Sequence, residues 1–124
     1  MLAVSLPFDK PGGYMPQDVN ITHKRGDSWS GWAEVEILLN GEPLDLTGAS
    51  FLMQARRSAT SPEVAFSFEP VATEPNEGKF MVPGAVIDAP AAQYVYDVEL
   101  TLASGRVLTP ISGVFTITPD CSRA

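Results

Sequence analysis

Apolar and polar residues alternate along much of this chain, and the clearest run is at its C-terminal end. From Tyr94 to Leu102, Tyr94, Tyr96, Val98, Leu100 and Leu102 fall on one face, and Val95, Asp97, Glu99 and Thr101 on the other. A period of two marks a strand with one buried face. Ser104-Gly105 supplies a reversal. A second run follows, with Val107, Thr109, Ile111, Gly113, Phe115 and Ile117 on one side. The pattern predicts an antiparallel hairpin over 94–118 that contributes a large part of the core.

Earlier segments repeat the theme at shorter length. Asp18 to His23 alternates and reads as a first strand, and 24–27 as a turn. Ser28 to Leu39 reads as a long strand with Ala33, Val35, Ile37 and Leu39 on one face. Trp32 is out of step with that row, which predicts a β-bulge near Gly31. Asn40-Gly41 is a hairpin signal. Short strands are expected over 42–47, 50–57, 63–68 and 79–82. In the 50–57 strand, Phe51, Met53 and Ala55 point inward and Arg56 outward. The stretch 69–78 reads as a loop. Residues 86–93 read as one helical turn, with Asp88 as cap and Pro90 in the first turn. About seven or eight short strands separated by turns predict an all-β, antiparallel, immunoglobulin-like β-sandwich over residues 18–124. A small barrel is the alternative.

Residues 1–17 differ from the rest. Pro7, Pro11, Gly12, Gly13 and Pro16 preclude a helix, so an extended N-terminal arm is expected. Leu6, Phe8 and Tyr14 are more apolar than a solvated tail needs. The arm either folds over its own domain or docks on a neighbouring subunit. With Trp29, these three are the candidate partner contacts.

Composition narrows the function. The 124 residues suit one domain, and eleven prolines with ten glycines suit turns. Fifteen acidic against eight basic residues leave a net charge of −7. A nucleic-acid partner is not expected, because phosphate binding needs clustered cations. No apolar run approaches the length of a membrane helix, and the N-terminus lacks the form of a signal peptide, so neither membrane nor export is expected. Cys121 is the only cysteine and His23 the only histidine, which leaves no disulfide, zinc cluster or catalytic triad to assemble.

The remaining motifs each have a plain reading. Arg25-Gly26-Asp27 is an integrin-type tripeptide, or simply a turn. Asp97 with Glu99, and Glu34 with Glu36, are paired acids that read as solvated sheet faces. Trp29 and Trp32 are core anchors, interface residues or a sugar platform. There is no phosphate loop and no nucleophile with a base. The expectation is a non-enzyme without cofactor or metal.

Five pieces, taken in order, add a resemblance. They are Ile21-Thr22 with Arg25-Gly26-Asp27; Gly41-Glu42-Pro43-Leu44-Asp45-Leu46-Thr47-Gly48-Ala49; Tyr94-Val95-Tyr96-Asp97-Val98-Glu99-Leu100; Gly105-Arg106-Val107; and Gly113 followed by Asp120-Cys121-Ser122-Arg123. Together they resemble small virion-associated proteins of tailed bacteriophages, similar to the N-terminal β-sandwich domain of phage baseplate upper proteins. The chain departs at Cys121-Ser122, where that pattern has Val-Thr. The resemblance implies a structural part of a phage particle, assembled in the host cytoplasm into the virion. It would be an adaptor for a fibre, spike or baseplate component. Its partners would be other virion proteins and further copies of itself. The alternative is a carbohydrate- or host-surface-binding β-sandwich module, with Trp29 and Trp32 near its site.

Overall fold

The computed structural model describes residues 2–6, 17–39 and 41–120. Eleven strands follow in order: β1 (Leu2–Leu6), β2 (Gln17–Asp18), β3 (Ile21–Lys24), β4 (Ser28–Leu39), β5 (Glu42–Pro43), β6 (Ser50–Arg56), β7 (Phe66–Phe68), β8 (Val71–Glu74), β9 (Lys79–Val86), β10 (Ala92–Thr101) and β11 (Val107–Thr118). They form two layers. The first sheet runs β1-β4-β9-β8, with β5 also on β4. The second runs β2-β11-β10-β6-β7, with β3 also on β11. The all-β sandwich read from the sequence is the fold, divided into more strands than expected.

The inward rows of the two sheets make one core. Val35, Ile37, Phe80 and Val82 come from the first sheet, and Met53, Val98, Leu100, Ile111, Phe115 and Ile117 from the second. Leu44 and Leu46, just after β5, close over one end. At roughly 25 cal/mol per Å² of apolar area, each such side chain contributes about 1.5–3 kcal/mol. No described polar side chain is buried.

The β10–β11 hairpin stands as expected. Tyr94 pairs with Phe115 and Thr101 with Val107. Gly105 closes the turn with φ +91°, and its amide donates to the Leu102 carbonyl at 2.8 Å. One detail differs. Leu108 is buried while Val107 is 55% exposed, so the start of β11 presents the opposite face from the expected one. The cause is a bulge: β11 uses three steps from Leu108 to Ile111 where β10 uses two, from Leu100 to Val98. Pro110 lies within it, and proline, having no amide hydrogen, is tolerated at such interruptions.

The bulge expected near Gly31 is also present. β4 uses three steps from Trp32 to Val35 where β9 uses two, from Val82 to Phe80. At the Asn40-Gly41 signal, Leu39 pairs with Glu42 and Gly41 has φ +82°.

Four expectations are corrected. Both sheets are mixed rather than purely antiparallel, since β1 runs parallel to β4, and β2 and β3 parallel to β11. The loop expected over 69–78 contains β8 and a 3-10 turn, Pro75–Glu77. β9 does not stop at Val82 but continues through Pro83-Gly84 to Val86. The helical turn expected over 86–93 does not form, and Asp88 pairs with Arg25 instead of capping.

Leu2–Leu6, the start of the expected arm, forms the outer strand of the first sheet. It pairs from Leu2↔Val35 to Leu6↔Leu39, and Val4 is fully buried. This part of the arm therefore lies on its own domain.

Candidate functional site

The Arg25-Gly26-Asp27 turn is exposed and tied to the segment at Ile87–Asp88. The Asp27 amide donates to the Lys24 carbonyl at 3.2 Å, and the Gly26 amide to the Ile87 carbonyl at 2.8 Å. His23 Nε2 lies 2.9 Å from the Asp27 carbonyl, and Arg25 Nε donates to Asp88 Oδ1 at 3.2 Å. An exposed pair of this kind contributes little stability, but it fixes the guanidinium. The only histidine, on β3, thus has its ring bound to the turn, and the tripeptide is tied to residues 87–88.

Glu34 lies on a solvated sheet face, as expected. It meets Lys79, whose Nζ is 3.6 Å from Glu34 and 3.8 Å from Glu77. Glu36 is the register partner of Lys79.

Asp97 stands in a different setting. On the outer face of the second sheet it is the register partner of Gln54 on β6 and Ser112 on β11. These residues, with Arg56, Val95 and Ala59, line a cleft of about 370 Å³. Arg56 Nη1 donates to the Ser61 carbonyl at 2.9 Å, and Nη2 to Gln54 Oε1 at 3.1 Å, which holds the 57–62 loop over one side. A guanidinium, an amide, a hydroxyl and a carboxylate so placed can hydrogen-bond a polar ligand. They do not form a nucleophile and base. Among the described residues no three His, Cys, Asp or Glu side chains gather as metal ligands. The arginine that acts on Asp97 is Arg56, brought close by the β6–β10 register.

Partial burial, and next the charge of Glu99, push the Asp97 carboxyl above the ordinary carboxylate range, against the opposing effect of Arg56. The folded chain therefore holds this proton more firmly than the unfolded chain does. The associated stability is complete below the unfolded pKa and is lost as pH rises through the raised folded value. At neutral pH the ionised group is a burden. Asp97→Asn is expected to raise the thermal midpoint at pH 7, with the gain fading as pH falls through the raised folded value and gone below the unfolded value of about 3.9. Thermal melts of both chains across that range check this, and a lower midpoint at pH 7 would contradict it.

The two tyrosines of β10 use their hydroxyls internally. Tyr94 donates to the Pro90 carbonyl and Tyr96 to the Val19 carbonyl, each at 2.5 Å. Burial, then the charge of Asp18, pushes the Tyr96 hydroxyl well above its usual pKa and keeps it a donor. Next to it, Asn20 Oδ1 accepts from the Val114 amide at 2.9 Å, filling the gap between β2 and β3.

Trp29, read as a candidate partner contact, is a core side chain. It is 9% exposed, and its ring centroid lies 4.8 Å from Phe68, 5.5 Å from Phe115 and 6.0 Å from Trp32. Trp29 is therefore not available as a sugar platform or a surface contact. Leu6 is placed by its backbone, paired with Leu39. Phe8, Tyr14, Cys121, Ser122 and Arg123 lie outside the described residues. No helix among the described residues is long and apolar enough to cross a membrane.

No protein-family model matches the chain, and no curated protein matches it. Among solved structures, the chain is similar to the N-terminal domain of ORF48 of phage TP901-1. The TM-score is 0.50 and the identity 15%, with 96% of this chain and 97% of that one covered. It is also similar to CopC from Methylosinus trichosporium OB3b, with a TM-score of 0.45, 8% identity, and 84% and 89% of the two chains covered. The first likeness extends over nearly the whole length of both chains and concerns the fold. The second is too loose to carry an argument.

Proposed function

We propose that this chain is a non-enzymatic structural component of a tailed-phage particle, serving as an adaptor or attachment domain for a fibre, spike or baseplate component. The observation that carries the reading is the end-to-end likeness to a phage protein's N-terminal domain, 96% of this chain on 97% of that one. Whole-chain correspondence supports a domain of the same kind rather than a shared substructure. At this identity function does not follow from fold alone, so the reading also draws on how the chain's polar side chains are used. The hydroxyls of Tyr94 and Tyr96, the His23 ring and Arg25 are engaged in holding turns and strand ends. The partners are other virion proteins and further copies of this chain, and the place of action is the virion.

Leu6, Phe8 and Tyr14 are the proposed contacts of the N-terminal segment with a neighbour. Native mass spectrometry of the purified chain tests this. A symmetric homo-oligomer is expected. Removing residues 1–17 would also take Val4 out of the core, so the decisive variant is Phe8→Ser with Tyr14→Ser, which leaves β1 intact and should release monomers. Native and variant chains that are both clean monomers and both bind glycan would overturn the adaptor reading. They would favour the second reading, a carbohydrate- or host-surface-binding module, for which the polar cleft at Gln54, Arg56, Asp97 and Ser112 is the place to look.

A further inference from the structure

On one side of the sandwich, both sheets end in strand edges that no described strand pairs. β7 closes the second sheet, and its only ladder is with β6. In the first sheet, β8 covers just the Lys79–Met81 part of β9. From Val82 to Val86, β9 is paired with β4 on its other flank alone. Between these two free edges lies a cleft of about 400 Å³, walled chiefly by Phe66, Phe68, Ala85, Val86, Ile87 and Pro90. Val86 is 63% exposed and Val64, just before β7, 39%.

A free edge beside exposed apolar side chains is a template for another strand. What distinguishes this one is its charge. Glu63 and Glu69, both exposed, bracket β7. If two copies paired through β7, antiparallel about Phe66, Glu63 of each would face Glu69 of the other at both ends. Like charges placed opposite one another oppose pairing. The same two carboxylates favour a strand that carries cations at its ends. Asp88, also at the cleft, is already occupied by Arg25, so Glu63 and Glu69 are the acids that select.

We propose that this cleft receives an extended segment of a partner protein, with apolar residues at alternate positions and Lys or Arg at each end, which adds to β7 as a further strand. Main-chain pairing gives affinity, and Phe66, Phe68 and Val86 receive the apolar side chains. The flanking cations meet Glu63 and Glu69, which sets the preference and speeds encounter. This deepens the adaptor reading and rests on it for a neighbouring protein as the natural occupant.

The probe is a capped heptapeptide, Lys-Val-Thr-Val-Thr-Val-Lys, beside the same peptide with Glu at both ends. Each is titrated into the purified full chain while backbone amide shifts and hydrogen exchange are followed. The lysine peptide is expected to shift and protect the amides of 66–68 and 85–87, and to bind about tenfold more tightly than the glutamate peptide at about 50 mM salt. In Glu63→Lys/Glu69→Lys the preference should invert, and in Val86→Ser both peptides should weaken. The proposal is overturned by an absence of shifts at those amides up to about 1 mM peptide, by equal affinity for the two peptides, or by pairing of native chains through β7. The assay needs only the isolated chain, so its failure leaves the particle reading standing. A chain that binds the peptide but is absent from particles would overturn the particle reading alone.

Discussion

Gly31→Ala is expected to leave the chain unfolded or to lose at least about 4 kcal/mol of stability. Two costs combine. Gly31 has φ +73°, a conformation that costs an L-residue about 1–2 kcal/mol. A β-carbon there would also lie 2.1 Å from the Val82 carbonyl oxygen and 2.9 Å from the Gly84 nitrogen. Both neighbours are backbone in the strand that pairs with β4, so no side chain can swing away. Relief requires parting β4 from β9 beside the bulge at Trp32–Val35. A small domain has a net stability of about 5–15 kcal/mol, so the loss is a large fraction of the whole. Gly41→Ala is the control. Its φ is +82°, but nothing lies within 4 Å of the added carbon, so only the conformational cost of about 1–2 kcal/mol remains. Denaturant midpoints of the two variants check the contrast. Equal losses would contradict the close approach of β4 and β9.

Phe115→Ala should cost about 3–5 kcal/mol. Phe115 is fully buried, and its ring centroid lies 5.1 Å from Phe66, 5.5 Å from Trp29 and 6.1 Å from both Phe68 and Tyr96. It is the point at which rings from β4, β7 and β10 meet. Truncation leaves a cavity that β4, β7 and β10 would have to move to fill, and edge-to-face ring contacts are lost with it. Equilibrium unfolding followed by tryptophan fluorescence measures the loss and also reports on Trp29 directly. A cost below about 1.5 kcal/mol, within the range of a volume-conserving swap, would show that the rings do not converge there.

The parts of the fold legible in the sequence are those governed by local chemistry. Alternation placed Tyr94, Tyr96, Val98 and Leu100 inside, and Ser104-Gly105 and Asn40-Gly41 marked reversals that form. Trp32, out of step with Val35 and Ile37, correctly pointed to a bulge. The parts not legible depend on pairing between distant segments. Leu2–Leu6 and Ile21–Lys24 alternate in the same way whether their neighbours run parallel or antiparallel, so periodicity alone does not distinguish the two. The bulge at Pro110 reverses the face of Val107 and Leu108 because of an extra residue that becomes visible only against β10. Val71–Glu74 is short and proline-flanked, and it is held as a strand by β9.

The candidate contacts divide along the same line. Trp29 is a core residue because its ring packs on Phe68 and Phe115 across the sandwich, and the bulge between Trp32 and Val35 hides this from the spacing along β4. The Asp97 cleft needed the registers of β6, β10 and β11 together before Arg56 came near it. The free edge at β7 could be found only once the order of strands was known, although its flanking acids, Glu63 and Glu69, stand openly in the sequence.

The particle role is tested most directly by quantitative mass spectrometry of density-purified tailed particles from cells that express this coding sequence. Peptides of the chain should co-purify with the particles, in fixed proportion to the tail proteins and through repeated banding. Finding the chain only in the particle-free fraction would contradict the role.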